Sequence, residues 1–472
     1  MFSSIAIATL VACGGGGGGT VVNVSTPQPA PAPTVSVTIS AAKTTVGAPV
    51  TVSWTSTNAT SCVGMDAMSG SKALNSSEQV TPTAGGQYTY TISCDGDGGT
   101  AKQSVALVVP IPVFKTSYEN AKGYGLPRLD FPASLSDIQV GMPLAWGAGD
   151  FFQTGNIDIF TAKQNYTSYN TTVSQVTGVP QYQSDFQFWQ RNPVTGAMTL
   201  KLTYKGCLHP RKGVVADFNN DRAPDVFVAC HGFDGPNNPG EKSKLVLSDG
   251  NGGFTVTDVN EVGFYHGAAA SDINGDGWPD LVVANIYNAD WHHPLYVYVN
   301  NKDGTFTKDE SRIKNVVTTS YFSVELVDVN GDGILDLIAG GHEYDYQANG
   351  ALSSETAIYY GDGNGNFGNA KTVIPPVIGQ GVVQDFTVVK DNGNTVIYVD
   401  RTSDYQGDVN GYAYGGYLTE VVQSYNLTTN TSNVVLNVVA NPIPWWLPST
   451  QNGQIGVVPF STAQGAPGLF IH

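Results

Sequence analysis

One nine-residue pattern occurs three times and constrains the chain more than any other feature. It reads Asp217-Phe-Asn219-Asn-Asp221-Arg-Ala-Pro-Asp225, then Asp272-Ile-Asn274-Gly-Asp276-Gly-Trp-Pro-Asp280, then Asp328-Val-Asn330-Gly-Asp332-Gly-Ile-Leu-Asp336. Each copy sets Asp, Asn, Asp and Asp at positions 1, 3, 5 and 9 and runs into an apolar β-type stretch: Val226-Phe-Val-Ala, Leu281-Val-Val-Ala or Leu337-Ile-Ala. Four side-chain oxygens on one tight turn suit a hard cation that takes roughly six to eight oxygens, so calcium is expected, about three ions in all. The carbonyl at position 7 (Ala223, Trp278, Ile334) is expected to complete each shell. An EF-hand shares positions 1, 3 and 5 but needs a bidentate Glu at position 12 and a following helix. Position 12 here is Val228, Val283 or Ala339, inside a strand-like run. The competing reading is a set of hydrogen-bonded Asx turns without an ion; it leaves clustered carboxylates with no counter-charge.

The spacing of the copies sets the architecture. Asp217 to Asp272 is 55 residues, Asp272 to Asp328 is 56, and Asp328 to Asp385 is 57. Periods above about 40 residues filled with short strands predict propeller blades. A second hairpin recurs in each unit, ending on Phe254, Phe306 and Phe367, with Gly, Asn and Asp supplying the positive φ angles of tight turns. Further units keep the frame and lose the ligands: Asp150 to Asp158 retains the first and last Asp, and the stretch from Asp385 keeps one. The C-terminal run from Val457 to His472 repeats the shape of Val214 to Val228 without acids, as the first two strands of a unit. The expected fold is therefore all-β, with a six-bladed propeller over 110–472 in which residues 111–145 supply the missing outer strands. Seven blades is the alternative, because 405–456 is poorly patterned.

Composition agrees. Only 13% of the 472 residues are charged, while Gly is abundant, as suits many short strands and turns. A net charge of −17 argues against a nucleic-acid partner, which would want a basic face. Of five cysteines, Cys13 stands apart, after the apolar segment from Ile5 to Ala12. The other four allow three connectivities, of which the local pairs Cys62–Cys94 and Cys207–Cys230 are favoured; disulfides imply an oxidising compartment.

Residues 1–12 are too short to span a bilayer, which takes roughly 20 apolar residues, and read as the end of a secretory signal. Leu10-Val11-Ala12-Cys13 resembles the lipobox of bacterial lipoproteins, which implies lipidation of Cys13 in segment 1–13; no Lys or Arg precedes the apolar run, a departure from that pattern. Gly14 after the Cys is similar to the outer-membrane sorting pattern of Gram-negative lipoproteins. Residues 14–34, glycines followed by alternating prolines, form a flexible and then extended linker. Residues 35–109 read as a compact β unit: Val50, Val52 and Trp54 alternate onto one face, as do Tyr88, Tyr90, Ile92 and Cys94. This unit resembles the Ig-like sandwiches of bacterial surface proteins, expected here as a spacer. Cys62 follows Trp54, so the inter-sheet bridge of antibody domains is not implied.

The three Asp loops and their period resemble the FG-GAP/VCBS repeats of integrin-α-type propellers. The resemblance covers about 111–472 and implies calcium in the first hairpin of a blade. The matching ligands are Asp217, Asn219, Asp221, Asp225, Asp272, Asn274, Asp276, Asp280, Asp328, Asn330, Asp332 and Asp336.

If the Asp loops join the first two strands on one face, the segments entering the first strand and leaving the second lie on the other. Those segments carry His231, His266, Trp291, His292, His293, His342 and Tyr344, together with Asp234, Asn285, Tyr287, Glu343 and Asp345. Loop clusters at the mouths of β architectures favour binding. The expected function is a calcium-stabilised, lipid-anchored envelope protein, periplasmic, surface-exposed or secreted, that binds a protein or glycan partner on this face. One alternative is a polysaccharide lyase using His and Tyr as base and acid. The chain has no GxSxG, and His342-Glu343 lacks the second His of a zinc-protease helix. A purely structural envelope component is the second alternative.

Overall fold

The computed structural model describes residues 28–123, 144–163, 184–232, 240–286, 294–316, 321–343, 354–391, 393–403, 419–438, 446–451, 454–459 and 469–471. Cys13 and its linker as far as residue 27 lie outside them. Two compact units divide the chain. One is drawn from the segments ending at Ser40, Thr51–Gln79 and Thr89–Val105, the other from Ala41–Val50, Val80–Tyr88 and the chain from Ala106 onward.

Residues 34–109 form two sheets, one of three strands and one of four. The predicted alternation holds in Val50–Thr57, where Val50, Val52 and Trp54 are buried between half-exposed neighbours. Trp54 satisfies its indole by donating from Nε1 to the Ala73 carbonyl at 2.8 Å. Cys62 and Cys94 are bonded and face each other across neighbouring strands of one sheet.

The second unit is a succession of antiparallel sheets, here A to F, each hydrogen-bonded in chain order from its first strand outward. A comprises Leu144–Gly149, Asp158–Lys163, Asp185–Arg191 and Met198–Lys205; B comprises Pro210–Ala216, Asp225–Cys230, Glu241–Ser248 and Phe254–Gly263. C comprises Tyr265–Ser271, Asp280–Asn285, Leu295–Asn300 and Phe306–Asp309; D comprises Tyr321–Val327, Asp336–Gly341, Ala357–Gly361 and Phe367–Val373. E comprises Val382–Asp391, Asn394–Thr402, Glu420–Asn426 and Thr431–Val438, and F comprises Trp446–Gln451, Gln454–Pro459 and Leu469–Ile471. Among the described residues the chain is thus all-β with almost no helix.

The first strands of successive sheets pack against one another from A through F. Cores lie between adjacent sheets. Phe227, Leu245 and Tyr298 pack between B and C, and Val297, Leu337 and Tyr359 between C and D. A second strand therefore has a core on each side, which explains why Asp225–Cys230, Asp280–Asn285 and Asp336–Gly341 are buried at every residue and read as continuous apolar runs. Crowding of the first strands explains two glycines. A Cβ on Gly213 would meet the Trp146 carbonyl oxygen at 2.4 Å, and one on Gly267 would meet that of Phe322 at 2.4 Å.

Three expectations need correction. Asp385 is not in a turn: it sits within the first strand of E, whose hairpin closes farther on, where Asp391 pairs with Asn394. The apolar runs at Val457 and Leu469 are the second and third strands of F, because Trp446–Gln451 is the strand that packs against sheet E. Without an Asp loop to mark the first hairpin, two adjacent apolar strands fit either register. Finally, the described part of 111–145 supplies no outer strand. Ser117–Lys122 is a helix, α1, capped by a box in which Thr116 Oγ1 accepts the Glu119 amide and Glu119 reaches back to the Thr116 amide.

Helix α1 packs against the first strands of A, B, C, D and F and hydrogen-bonds to E. Ser117 Oγ accepts the Ala270 amide at 2.8 Å, Asn120 Nδ2 donates to the Val215 carbonyl at 3.0 Å, and the Tyr118 hydroxyl accepts the Val388 amide at 2.6 Å. Lys122 ends the helix in a buried charge cluster. Its Nζ lies 2.8 Å from Asp385 Oδ2 and also donates to the Phe386 carbonyl, while Lys212 Nζ lies 2.7 Å from Glu325 and 3.6 Å from Asp385. Burial alone would raise Asp385, but Lys122 and Lys212 outweigh it and hold the carboxyl below its usual range.

Candidate functional site

The three Asp loops fold alike. The position-1 carboxylate accepts amides from the far side of the turn: Asp217 from Asp221 and Arg222 at 2.9 and 2.8 Å, Asp272 from Asp276 and Gly277 at 2.9 Å each, and Asp328 from Gly331 and Gly333 at 2.6 and 3.0 Å. The position-3 Asn accepts the position-5 amide, and the position-5 Asp accepts the position-7 amide at 2.8 to 3.0 Å, as Asp221 does from Ala223, Asp276 from Trp278 and Asp332 from Ile334. Position 9 is buried and anchors the loop. Asp225 takes the Phe218 and Ser248 amides at 2.7 Å each, Asp280 those of Ile273 and Asn300, and Asp336 those of Val329 and Gly361.

Positions 4 and 6 have positive φ in every copy: Asn220 and Arg222 at 61° and 72°, Gly275 and Gly277 at 76° and 87°, Gly331 and Gly333 at 82° and 84°. Glycine adopts this conformation freely, whereas Arg222 holds it against its own Cβ.

Sheet A provides an internal control. Its loop makes the same turn, with positive φ at Gln153 and Gly155, and Asp150 accepts the Thr154 and Gly155 amides at 2.7 and 2.9 Å. It does so with Phe152 and Thr154 at positions 3 and 5. The turn therefore does not require acids there, and in B to D the position-5 carboxylate is surplus to folding. Its proximity has an electrostatic cost. Burial, joined by the neighbouring loop carboxylates, pushes Asp225 up to about 8 and Asp280 and Asp336 up to about 6. In one loop Lys302 lies 3.3 Å from Asp276. All the side-chain donors are oxygens, the ligand type of a hard cation.

At the other end of the same strand pairs, roughly 20 Å away for six or seven extended residues, the structure brings His231, His266 and His342 together. The His231 and His266 ring centroids are 4.4 Å apart, Phe322 bridges His266 and His342 at 4.1 and 4.6 Å, and Phe264 lies 3.8 Å from His231. Trp291, His292, His293 and Tyr344, with Asp234, Tyr287 and Asp345, lie outside the described residues. Asn285 has a local task, accepting the Phe264 amide at 2.9 Å. Glu343 forms a buried ion pair with Arg401 at 2.8 Å.

Three members of the cluster went unread in the sequence. His209 lies 4.7 Å from His231; it immediately precedes the first strand of B, so the rule that selected the other histidines also reaches it. Arg211 lies 3.3 Å from His209 Nε2 and 3.2 Å from His266 Nδ1. Phe322 is the third. Burial, reinforced by the Arg211 charge and the neighbouring imidazoles, holds His209, His231 and His266 well below the usual histidine range, so all three are neutral near pH 7. Cys207 and Cys230 are disulfide-bonded beside Glu241; bonded sulfurs offer no thiolate to a metal.

Comparisons with known proteins fit this geometry. Residues 217–283 and 272–339 match the FG-GAP-like repeat family, so the chain carries FG-GAP repeats spanning the three Asp loops. A T-cell immunomodulatory protein homolog of Plasmodium yoelii yoelii is 26% identical over 167 residues, 32% of this chain and 23% of that protein. Integrin alpha-3 of Cricetulus griseus is 29% identical over 124 residues, 23% of this chain and 12% of its own. The chain thus spans less than a quarter of either relative. A quinonprotein alcohol dehydrogenase-like protein from Bacteroides thetaiotaomicron aligns over 84% of this chain and 93% of its own, at 10% identity and a TM-score of 0.29, a likeness too low to carry an argument.

Proposed function

We propose that this is a binding protein of the bacterial cell envelope, held to the membrane by a lipid on Cys13 and stabilised by calcium in three FG-GAP loops. Sheets A to F form a six-bladed propeller closed around α1, and an Ig-like spacer and the 14–34 linker carry it. Asp217, Asn219 and Asp221 would hold one ion, Asp272, Asn274 and Asp276 a second, and Asp328, Asn330 and Asp332 a third, with Asp225, Asp280 and Asp336 closing each loop. The carboxylates that sheet A does without support the ions. The partner, a protein or glycan, is held at the opposite end.

The observation that carries the reading is the convergence of His209, Arg211, His231, His266, Phe322 and His342 at the end away from the loops. Integrin alpha-3, to which part of the chain is similar, favours adhesion over catalysis. A glycan and protein array probed with calcium present should give binding that is lost in a His231→Ala/His266→Ala/His342→Ala variant. Binding that survives the triple substitution would remove this end from the account. One observation favours a second reading, a polysaccharide lyase: neutral imidazoles beside a guanidinium set a base next to a carboxylate-neutralising cation. Unsaturated-uronate absorbance released from an acidic polysaccharide would establish that activity, and its absence would leave binding alone.

A further inference from the structure

Arg211, His266 and Phe322 occupy the same place in three consecutive sheets. The pairing of first and second strands slips between Pro210 and Lys212 in B, between Tyr265 and Gly267 in C, and between Tyr321 and Ser323 in D. Such a bulge takes one side chain out of the strand's alternation and re-aims it. Here three bulges aim at one point: the Arg211 guanidinium carbon lies 6.0 Å from the Phe322 ring, and Arg211 lies within hydrogen-bonding distance of His266.

The hydrogen bonds fix the protons. Arginine only donates, so His266 Nδ1 and His209 Nε2 both accept from Arg211, and the His266 proton sits on Nε2. That Nε2–H is buried and has no hydrogen-bond partner among the described residues, which calls for an explanation. Arg211 also differs from three other cations of the fold. Lys122, Lys212 and Arg401 are paired with Asp385, Glu325 and Glu343. Arg211, half-buried, meets no carboxylate among the described residues. The adjacent Glu241 spends its oxygens on the Leu208, His209 and Gly232 amides. In a chain of net charge −17, a guanidinium framed by two neutral imidazoles has the charge and the donors to take an anion.

We infer that Arg211, framed by His209 and His266, is the receptor for the carboxylate of a uronate-bearing glycan. The inference rests on the binding reading above and names its ligand chemistry. The planar guanidinium matches the two oxygens of a carboxylate. A uronate also carries hydroxyl groups beside its carboxylate that suit neutral imidazoles, whereas an acidic peptide side chain carries only methylenes there.

The test is isothermal titration of the full chain, with calcium, against oligogalacturonate, its methyl ester and penta-aspartate. Oligogalacturonate is expected to bind, with affinity lost on methyl esterification and in Arg211→Gln, and reduced about tenfold in Arg211→Lys, which keeps the charge and loses the fork. Thermal melts check folding, and if Arg211→Gln melts early, Arg211→Lys decides. Equal binding of the methyl ester, preference for penta-aspartate, indifference to both Arg211 variants, or no binding of any probe would each overturn the assignment. A partner that is lost in the triple histidine variant but ignores Arg211→Gln would refute the carboxylate and leave the binding reading standing.

Discussion

Lys122→Met tests whether α1 is locked among the first strands by charge. The Lys122 and Asp385 side chains are each 2% exposed and 2.8 Å apart, so neither has water to fall back on. Removing one member of a buried pair typically costs about 3–5 kcal/mol, because the remaining charge is stranded. Two features place this case at the lower end. Lys212 remains 3.6 Å from Asp385, and methionine keeps the packing of the lysine stem. A loss of about 3 kcal/mol is expected. Asp385→Asn removes the stranded charge, so the double variant should recover part of that loss, with a coupling of about 2 kcal/mol. Urea denaturation followed by tryptophan fluorescence, for the wild type and three variants, closes the cycle. Additive single effects, with coupling near zero, would refute the reasoning and make α1 a helix held by its hydroxyl and amide contacts alone.

Other substitutions probe separate links. Arg222→Gly should be about 1 kcal/mol more stable than Arg222→Ala, because only glycine relieves the 72° φ at position 6; equal melting of the two would deny strain there. Gly213→Ala should destabilise by about 2 kcal/mol or more, since its Cβ meets the Trp146 carbonyl at 2.4 Å and backbone must move; a melt matching the wild type would mean that the first strands are less crowded than described. Burial, with the Asp150 charge, raises Asp158 to about 8, so the folded state keeps a proton that the unfolded state releases. That linkage removes stability as pH rises from about 4 to 8. Asp158→Asn should flatten the decline, and an unchanged pH profile of the melting temperature would contradict the assignment.

Much of the fold was legible because it repeats. The Asp loops, the hairpins ending on Phe254, Phe306 and Phe367, and both disulfides follow from local spacing, and the structure contains them. The period misled at Asp385, where the interval held but the fifth sheet has a tight hairpin in place of a loop. Helix α1 was missed although Thr116 and Glu119 form a capping box at readable spacing; six residues give too little periodicity to stand out. The bulges were not legible, because register is a property of two strands and no single-strand pattern encodes it. Arg211 and Phe322 therefore looked like ordinary strand residues, while the histidines drew notice by type.

The claim on which the rest depends is that the Asp loops hold ions. Its most direct measurement is metal content after dialysis against calcium, paired with melting in EDTA and after calcium is restored. About three calcium ions per chain are expected, falling by one in Asp272→Ala/Asp276→Ala, with a melting temperature that drops on chelation and returns with calcium. A chain that retains no calcium and melts identically in both conditions would contradict the account.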